Sequence, residues 1–228
     1  YGRRQRQMCI RDRDISKDIV SKLKNHEDFR KLFSNFLYEI GYNKGGTFWD
    51  RFVVRVAPAE NNLPYREASR INIHRDTWGT NLYQQINWWA PVSNVEEKNT
   101  MIFYPDYFDV PVKNTTSTWD LNIYLANRKK GDFSYPSAPQ LKEDLPSNIN
   151  KIPVTIKPGE ILCFSGAHLH SSSKEKSENT RISFEIRTIC ENDINSSAQA
   201  PNVDCDLQWK FPKIFKKIND NSPLKITS

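Results

Sequence analysis

Long apolar runs are missing from this chain of 228 residues. No stretch approaches the roughly 18 residues needed to cross a bilayer. Its first 25 residues also lack the apolar segment of a secretion signal, so the expectation is a cytoplasmic protein with no membrane partner. Cysteine is scarce as well. Cys9, Cys163, Cys190 and Cys205 show neither a C-x-x-C spacing nor a dense framework, which argues against a zinc site and against a disulfide scaffold. Reduced, mostly buried thiols are expected instead. Internal repeats are absent. A strong charge excess is absent too, although the formal net charge is +6. Arg3, Arg4, Arg6, Arg11 and Arg13 stand against Asp12 alone at one end, and the remainder is close to balance. A balanced surface gives little grip on phosphate backbones, so nucleic acid is not an expected partner.

Aromatic residues are plentiful: 12% of the chain, with 6 Trp, inside a hydrophobic fraction of 37%. That supply is enough for a sizeable core. Residues 1–13 resemble translated adapter sequence and are read as a non-native or disordered leader. Residues 14–228 are read as one domain, because all-β units often reach this length around one core. Across 14–40, Ile15, Ile19, Leu23, Phe29, Leu32, Phe33, Phe36, Leu37 and Ile40 recur at steps of three and four, the pattern of one or two amphipathic helices. Beyond Gly41 the chain breaks into short β-branched and aromatic runs at 52–56, 70–74, 83–92, 100–104, 152–156, 160–165 and 180–190. Such strands, with no helices alternating between them, predict a mainly β antiparallel sandwich or barrel. Residues 127–151, rich in Pro and charge, read as a long loop that is either a lid or a solvated insertion. Residues 207–218 read as a helix packed back on the sheets.

The chemistry concentrates in two segments. Ile71-Asn72-Ile73-His74-Arg75-Asp76 ends an alternating run with an imidazole and a carboxylate two residues apart, which in extended geometry point the same way. Gly166-Ala167-His168-Leu169-His170 adds imidazoles after the strand 161–164. Two histidines and one carboxylate on an octahedral face leave open positions, as in non-heme Fe(II) oxygenases. Further on, Thr180-Arg181-Ile182-Ser183-Phe184 places a guanidinium fork and a hydroxyl on one strand face, a pair suited to a carboxylate. A metal site beside a dicarboxylate site is the resulting expectation.

In this order (His-x-Asp, a distal His, then Arg-x-Ser after ten intervening residues) the motifs resemble the phytanoyl-CoA dioxygenase-like family of Fe(II)/2-oxoglutarate oxygenases. The likeness spans residues 52–190 and includes Lys157-Pro158-Gly159-Glu160 before the strand that leads to the distal His, Asn87-Trp88-Trp89-Ala90-Pro91-Val92, and the segment 99–105. The resemblance implies a double-stranded β-helix (jelly roll) with N-terminal helices packed on one sheet. It selects His170 over His168, so that His74, Asp76 and His170 would hold Fe(II). It implies Arg181 and Ser183 as the 2-oxoglutarate clamp, with Trp89 nearby and Asn87 and Gln85 as candidates for its C1 carboxylate or the substrate. The implied reaction consumes dioxygen and 2-oxoglutarate, releases succinate and CO2, and hydroxylates a small-molecule substrate. Retention of Asp76 favours hydroxylation or desaturation over halogenation. Asn99-Thr100 in place of Asn-Gly, and Tyr104-Pro105-Asp106-Tyr107 without the family's Gly-Ser-His, depart from the pattern. With no nucleotide-phosphate cradle in the chain, they point away from an acyl-CoA substrate.

The substrate expected instead is a small polar metabolite, because Arg55, Glu185 and Arg187 add charge to the pocket. Glu185 and Arg187 also form a candidate structural ion pair. A monomer or weak homodimer is expected. Two other readings compete: a metal-dependent cupin-type enzyme that does not use 2-oxoglutarate, and a non-catalytic jelly-roll module that binds a ligand through its aromatics.

Overall fold

Phe29, Phe33, Phe36 and Leu37 fall on one face of helix α1 (Glu27–Glu39), and that face packs on Trp49, Phe52, Trp88 and Ile186. Glu27 and Asp28 occupy its first turn, where the helix dipole favours negative charge. The helix ends in a Schellman pattern: Gly41 N–H donates to Tyr38 O at 3.0 Å and Tyr42 N–H to Leu37 O at 2.8 Å. Gly41 adopts φ +98°, a backbone conformation for which glycine is suited. This computed structural model describes residues 26–43, 45–57, 71–132, 134–173 and 177–226, together with Asp18, Lys22 and Glu175. The expected leader at 1–13 lies outside the described residues. So does most of 14–25, within which Asp18 and Lys22 are helical.

Two antiparallel sheets carry the site. The larger contains β1 (Thr47–Trp49), β2 (Val53–Ala57), β3 (Ile86–Pro91), β6 (Leu162–Ser165), β8 (Arg181–Cys190) and β9 (Lys216–Lys217). Its order is β6-β3-β8-β1-β9, with β2 also paired to β8. The smaller runs β5 (Ile152–Pro153), β4 (Met101–Phe103), β7 (His170–Ser172). Strand β8 organises the larger sheet. One of its edges pairs with β3, while the other is shared by β2 at the start and β1 at the end.

Because strand side chains alternate, β8 sorts its residues between two environments. Phe184 and Ile186 join the cluster under α1, whereas Glu185 and Arg187 line a cavity with Met101 of the smaller sheet. Between the sheets, Trp89, Leu162 and Phe164 pack against Met101, Phe103 and Val154. Phe103 and Phe164 meet edge to face at 5.0 Å. The site therefore sits between the sheets, with the helix on the far side of the larger one.

Several expected elements differ in extent or kind. The run at 70–74 forms no strand among the described residues, only an isolated bridge at His74. The first residues of the expected loop at 127–151 belong to helix α3 (Leu121–Lys129), whose N-cap Asp120 accepts from Asn122 N and Ile123 N. The rest is anchored and not simply solvated, since Leu141, Leu145 and Ile149 pack against a core of Trp78, Tyr104 and Leu169. The expected helix at 207–218 is instead a 3-10 turn, Pro212–Ile214, followed by β9. Leu207, Phe215 and Ile218 enter three different clusters, which one helical stripe could not serve. Of the described cysteines, all free, Cys205 is buried, Cys190 half-buried and Cys163 exposed, so mostly buried thiols are not what is found. No helix among the described residues is long and apolar enough to cross a membrane.

Candidate metal centre

His74 and His170 exchange both backbone hydrogen bonds, His74 N to His170 O at 2.9 Å and His170 N to His74 O at 3.0 Å. An antiparallel pair of this kind places its two side chains on the same side, and the imidazole centroids lie 4.3 Å apart. Asp76 arrives by another route than strand alternation. It has helical dihedrals, φ −64° and ψ −29°, as the N-cap of the short helix α2 (Thr77–Thr80). This turn brings its two oxygens 3.6 Å from His74 Nε2 and 3.7 Å from His170 Nε2. One ligand atom from each residue falls within a 4.8 Å cluster. In the turn leading to His170, a Cβ at Gly166 would lie 2.6 Å from Gln85 Nε2 and would push that amide off its bond to Asn87.

Both rings are held from behind. His74 Nδ1 is 2.8 Å from Asn72 O, and His170 Nδ1 is 2.9 Å from His168 O. A carbonyl only accepts, so each Nδ1 carries the proton and each Nε2 keeps its lone pair for a ligand. Burial and the adjacent His74 push His170 down to about 4, leaving it neutral near pH 7. Burial alone would raise Asp76, but its contacts with His74, His170 and Arg187 hold its carboxyl well below the usual carboxylate range. Asn87 Nδ2 also donates to Asp76, while Asn87 Oδ1 accepts from Gln85 Nε2 at 2.9 Å. Asn87, expected with Gln85 at the co-substrate's C1 carboxylate or the substrate, bonds Asp76 directly, and Gln85 bonds Asn87.

Arg181 and Ser183 form a second station on the same inner face of β8. They are 3% and 0% exposed, yet Arg181 Nε and Ser183 Oγ have no hydrogen-bond partner among the described residues. Burying such groups unpaired is costly, so two orphan donors on one strand face point to an acceptor that none of the described residues supplies. Arg181 Cζ lies 5.8 Å from the Trp89 ring. Burial, then the neighbouring Arg55, lower the Arg181 guanidinium to about 10, still positively charged at neutral pH. The donor set fits the implied groups: two imidazole nitrogens and a carboxylate suit Fe(II), and the orphan fork and hydroxyl suit a carboxylate.

No protein-family model matches the chain, and no curated protein does. Among solved structures it is similar to EvdO2 from Micromonospora carbonacea var. aurantiaca complexed with 2-oxoglutarate, with TM-score 0.48 and 12% identity over 85% of this chain and 71% of that one. It is also similar to SnoK, a non-heme alpha ketoglutarate dependent carbocyclase from nogalamycin biosynthesis, with TM-score 0.46 and 13% identity over 85% and 72%. A third is the apo form of the non-heme monooxygenase ThoJ, with TM-score 0.43 and 13% identity over 64% and 47%. The chain spans about half the length of ThoJ. What the site can do follows from its own geometry.

The remaining charges of the cavity pair differently from expectation. Glu185 and Arg187 are not each other's partners. Both oxygens of Glu185 are taken by Arg55, with Nε at 2.8 Å and Nη2 on the other oxygen, and burial is outweighed by Arg55 in holding Glu185 below its ordinary range. Arg187 Nε donates to Asp50 at 2.5 Å, and its Nη1 lies 4.0 Å from Asp76. The partners come from β2 and from the residue after β1, so no spacing within β8 could reveal them. His168 stays out of the metal cluster and lies tilted against Phe108, with ring centroids 4.5 Å apart. Arg75 and Asp204 were not anticipated at all. Arg75 is 2% exposed and bonded to Asp204 at 3.1 Å. Only its position between two candidate ligands could have drawn attention to it.

Proposed function

We propose that this chain is a mononuclear Fe(II)- and 2-oxoglutarate-dependent oxygenase of the phytanoyl-CoA dioxygenase-like kind, built on a double-stranded β-helix, that hydroxylates a small polar metabolite. The observation that carries the reading is that one face of β8 serves two features: Glu185 and Arg187 line the inter-sheet cavity with Asp76 and His170, and Arg181 and Ser183, of the same strand parity, are buried further along it. A His-Asp-His cluster has its donor atoms within 4.8 Å, and a buried Arg-Ser pair presents donors with no partner among the described residues.

In this reading His74, Asp76 and His170 would hold the metal, and Arg181 with Ser183 would take the distal carboxylate of 2-oxoglutarate. When bound, iron supplies the redox chemistry that couples decarboxylation of 2-oxoglutarate to succinate with oxidation of a substrate C–H bond by dioxygen. The protein contributes position and environment. The carbonyls of Asn72 and His168 keep each Nε2 available, and Asn87 fixes the Asp76 carboxylate. Phe103 and Phe164 pack beside His170 at 5.9 Å and 5.4 Å between ring centroids, which limits water on that side of the site. A ring face carries no hydrogen-bond demand, so the substrate C–H bond can approach there without desolvating a polar group.

Anaerobic titration with Fe(II) and then 2-oxoglutarate tests the reading, followed by succinate release across a panel of small metabolites with ascorbate. Stoichiometric Fe(II) binding, 2-oxoglutarate binding that requires the metal, and substrate-stimulated succinate are expected. Metal binding without any effect of 2-oxoglutarate would favour the cupin-type reading, and failure to take up Fe(II) would favour a binding module.

A further inference from the structure

Arg75 lies between His74 and Asp76 in sequence and points away from them into a fully packed region, 2% exposed. All five of its N–H donors find acceptors. Nε donates to Asp204 Oδ2 at 3.1 Å. Nη1 donates to Ala167 O at 2.6 Å and Phe108 O at 3.2 Å, and Nη2 to Tyr107 O at 2.7 Å and Val110 O at 2.9 Å. A guanidinium has five such donors in a rigid fork, so this one is saturated and its orientation fixed.

The acceptors come from three separate parts of the chain: residue 167, residues 107–110 and Asp204. Ala167 belongs to the turn that delivers His170. Asp204 lies in the C-terminal segment, far in sequence from every candidate ligand. Its other oxygen accepts from Trp78 Nε1 at 2.7 Å, and Val112 N donates to Oδ2 at 3.1 Å. Asp204 thus grips the ligand segment on both sides of Asp76, through Arg75 just before it and Trp78 two residues after it.

We infer that Arg75 and Asp204 are positioning residues that set the spacing of His74, Asp76 and His170, so that the C-terminal segment is a working part of the metal centre. The inference rests on reading those three residues as metal ligands. The backbone bridge ties His74 to His170 on one side, and the Arg75 bond to Ala167 O ties the same two segments on the other. Backbone bonds from Ser172 N to Ile71 O at 2.9 Å and from Thr77 N to Gly166 O at 3.2 Å also join these segments; Arg75 adds a side-chain tie between them and, through Asp204, connects them to the C-terminal segment. A buried ion pair is a weak source of net stability, because desolvation offsets most of its attraction. Its worth here is directional.

The test is Co(II) binding to metal-free protein, followed by the visible d–d spectrum and by titration. Asp204→Asn keeps the size of the side chain but removes its charge and turns one acceptor into a donor facing Arg75, Trp78 or Val112. It is expected to weaken Co(II) binding by about tenfold or more, the usual range for residues behind a metal ligand, and to change the d–d bands. Leu37→Ala, in the cluster under α1, is the control for lost stability alone and should bind Co(II) with wild-type affinity and spectrum. Should Asp204→Asn not fold, Trp78→Phe removes one bond to Asp204 and keeps an aromatic ring, with the same spectral change expected in smaller degree. Wild-type affinity and spectrum in the folded Asp204 or Trp78 variant would overturn the positioning role, as would a parallel loss in Leu37→Ala. Wild-type protein that takes up no Co(II) would instead overturn the metal reading beneath it.

Discussion

At the residue scale, the two candidate stations differ in how completely the protein satisfies them. The metal cluster is closed from behind: both Nδ1 atoms and the Asp76 carboxylate have partners. Arg181 Nε and Ser183 Oγ are left open among the described residues. Arg181→Lys therefore keeps a positive charge but loses the planar fork. It is expected to weaken 2-oxoglutarate binding by about 1.5–3 kcal/mol, the worth of hydrogen bonds to charged groups, while Fe(II) affinity changes little. Calorimetric titration of both ligands checks this, and an equal loss of the two would mark Arg181 as structural. The candidate ligands and the Arg-x-Ser pair were legible because their spacing along the chain is itself the signal. Arg75 was not legible, since four of its five acceptors are backbone carbonyls, which every residue possesses.

At the element scale, period-two alternation on β8 was readable and proved correct for Glu185 and Arg187, which both line the cavity. The partners were not readable, because pairing depends on which strands lie beside β8. Asp50, just after β1, receives both Nε and the backbone N of Arg187, and its side chain is 2% exposed. Arg187→Met would leave that carboxylate buried with its guanidinium partner gone. A loss of about 3–5 kcal/mol is expected on chemical denaturation, the usual consequence of removing one member of a buried pair. Arg187→Met combined with Asp50→Leu should recover much of it. A single variant of wild-type stability would return Arg187 to a role purely in substrate binding. The tail departs from its expected helix for a related reason: its apolar residues have helical spacing, but their destinations are three different clusters, and destinations are tertiary facts.

On the scale of the whole molecule, the site is placed between two sheets whose stability it also taxes. His170 is buried and held near a pKa of about 4, first by burial and then by His74, against an ordinary value near 6.5 in the unfolded chain. As pH falls through that window the unfolded chain takes up a proton that the folded metal-free protein refuses, so stability declines with falling pH between about 6.5 and 4. Below about 4 this contribution stops changing. A tenfold difference in proton affinity between the two states corresponds to about 1.4 kcal/mol, which makes the loss from pH 7 to pH 4.5 on the order of 2 kcal/mol. Asp76 acts in the same direction only at more acidic pH, because its folded carboxyl titrates well below the usual range. Denaturant unfolding of metal-free protein at these two pH values measures the slope, and His170→Gln, which cannot titrate, should flatten it. If His170→Gln retained the full pH dependence, the proton uptake would have to be assigned to another buried group.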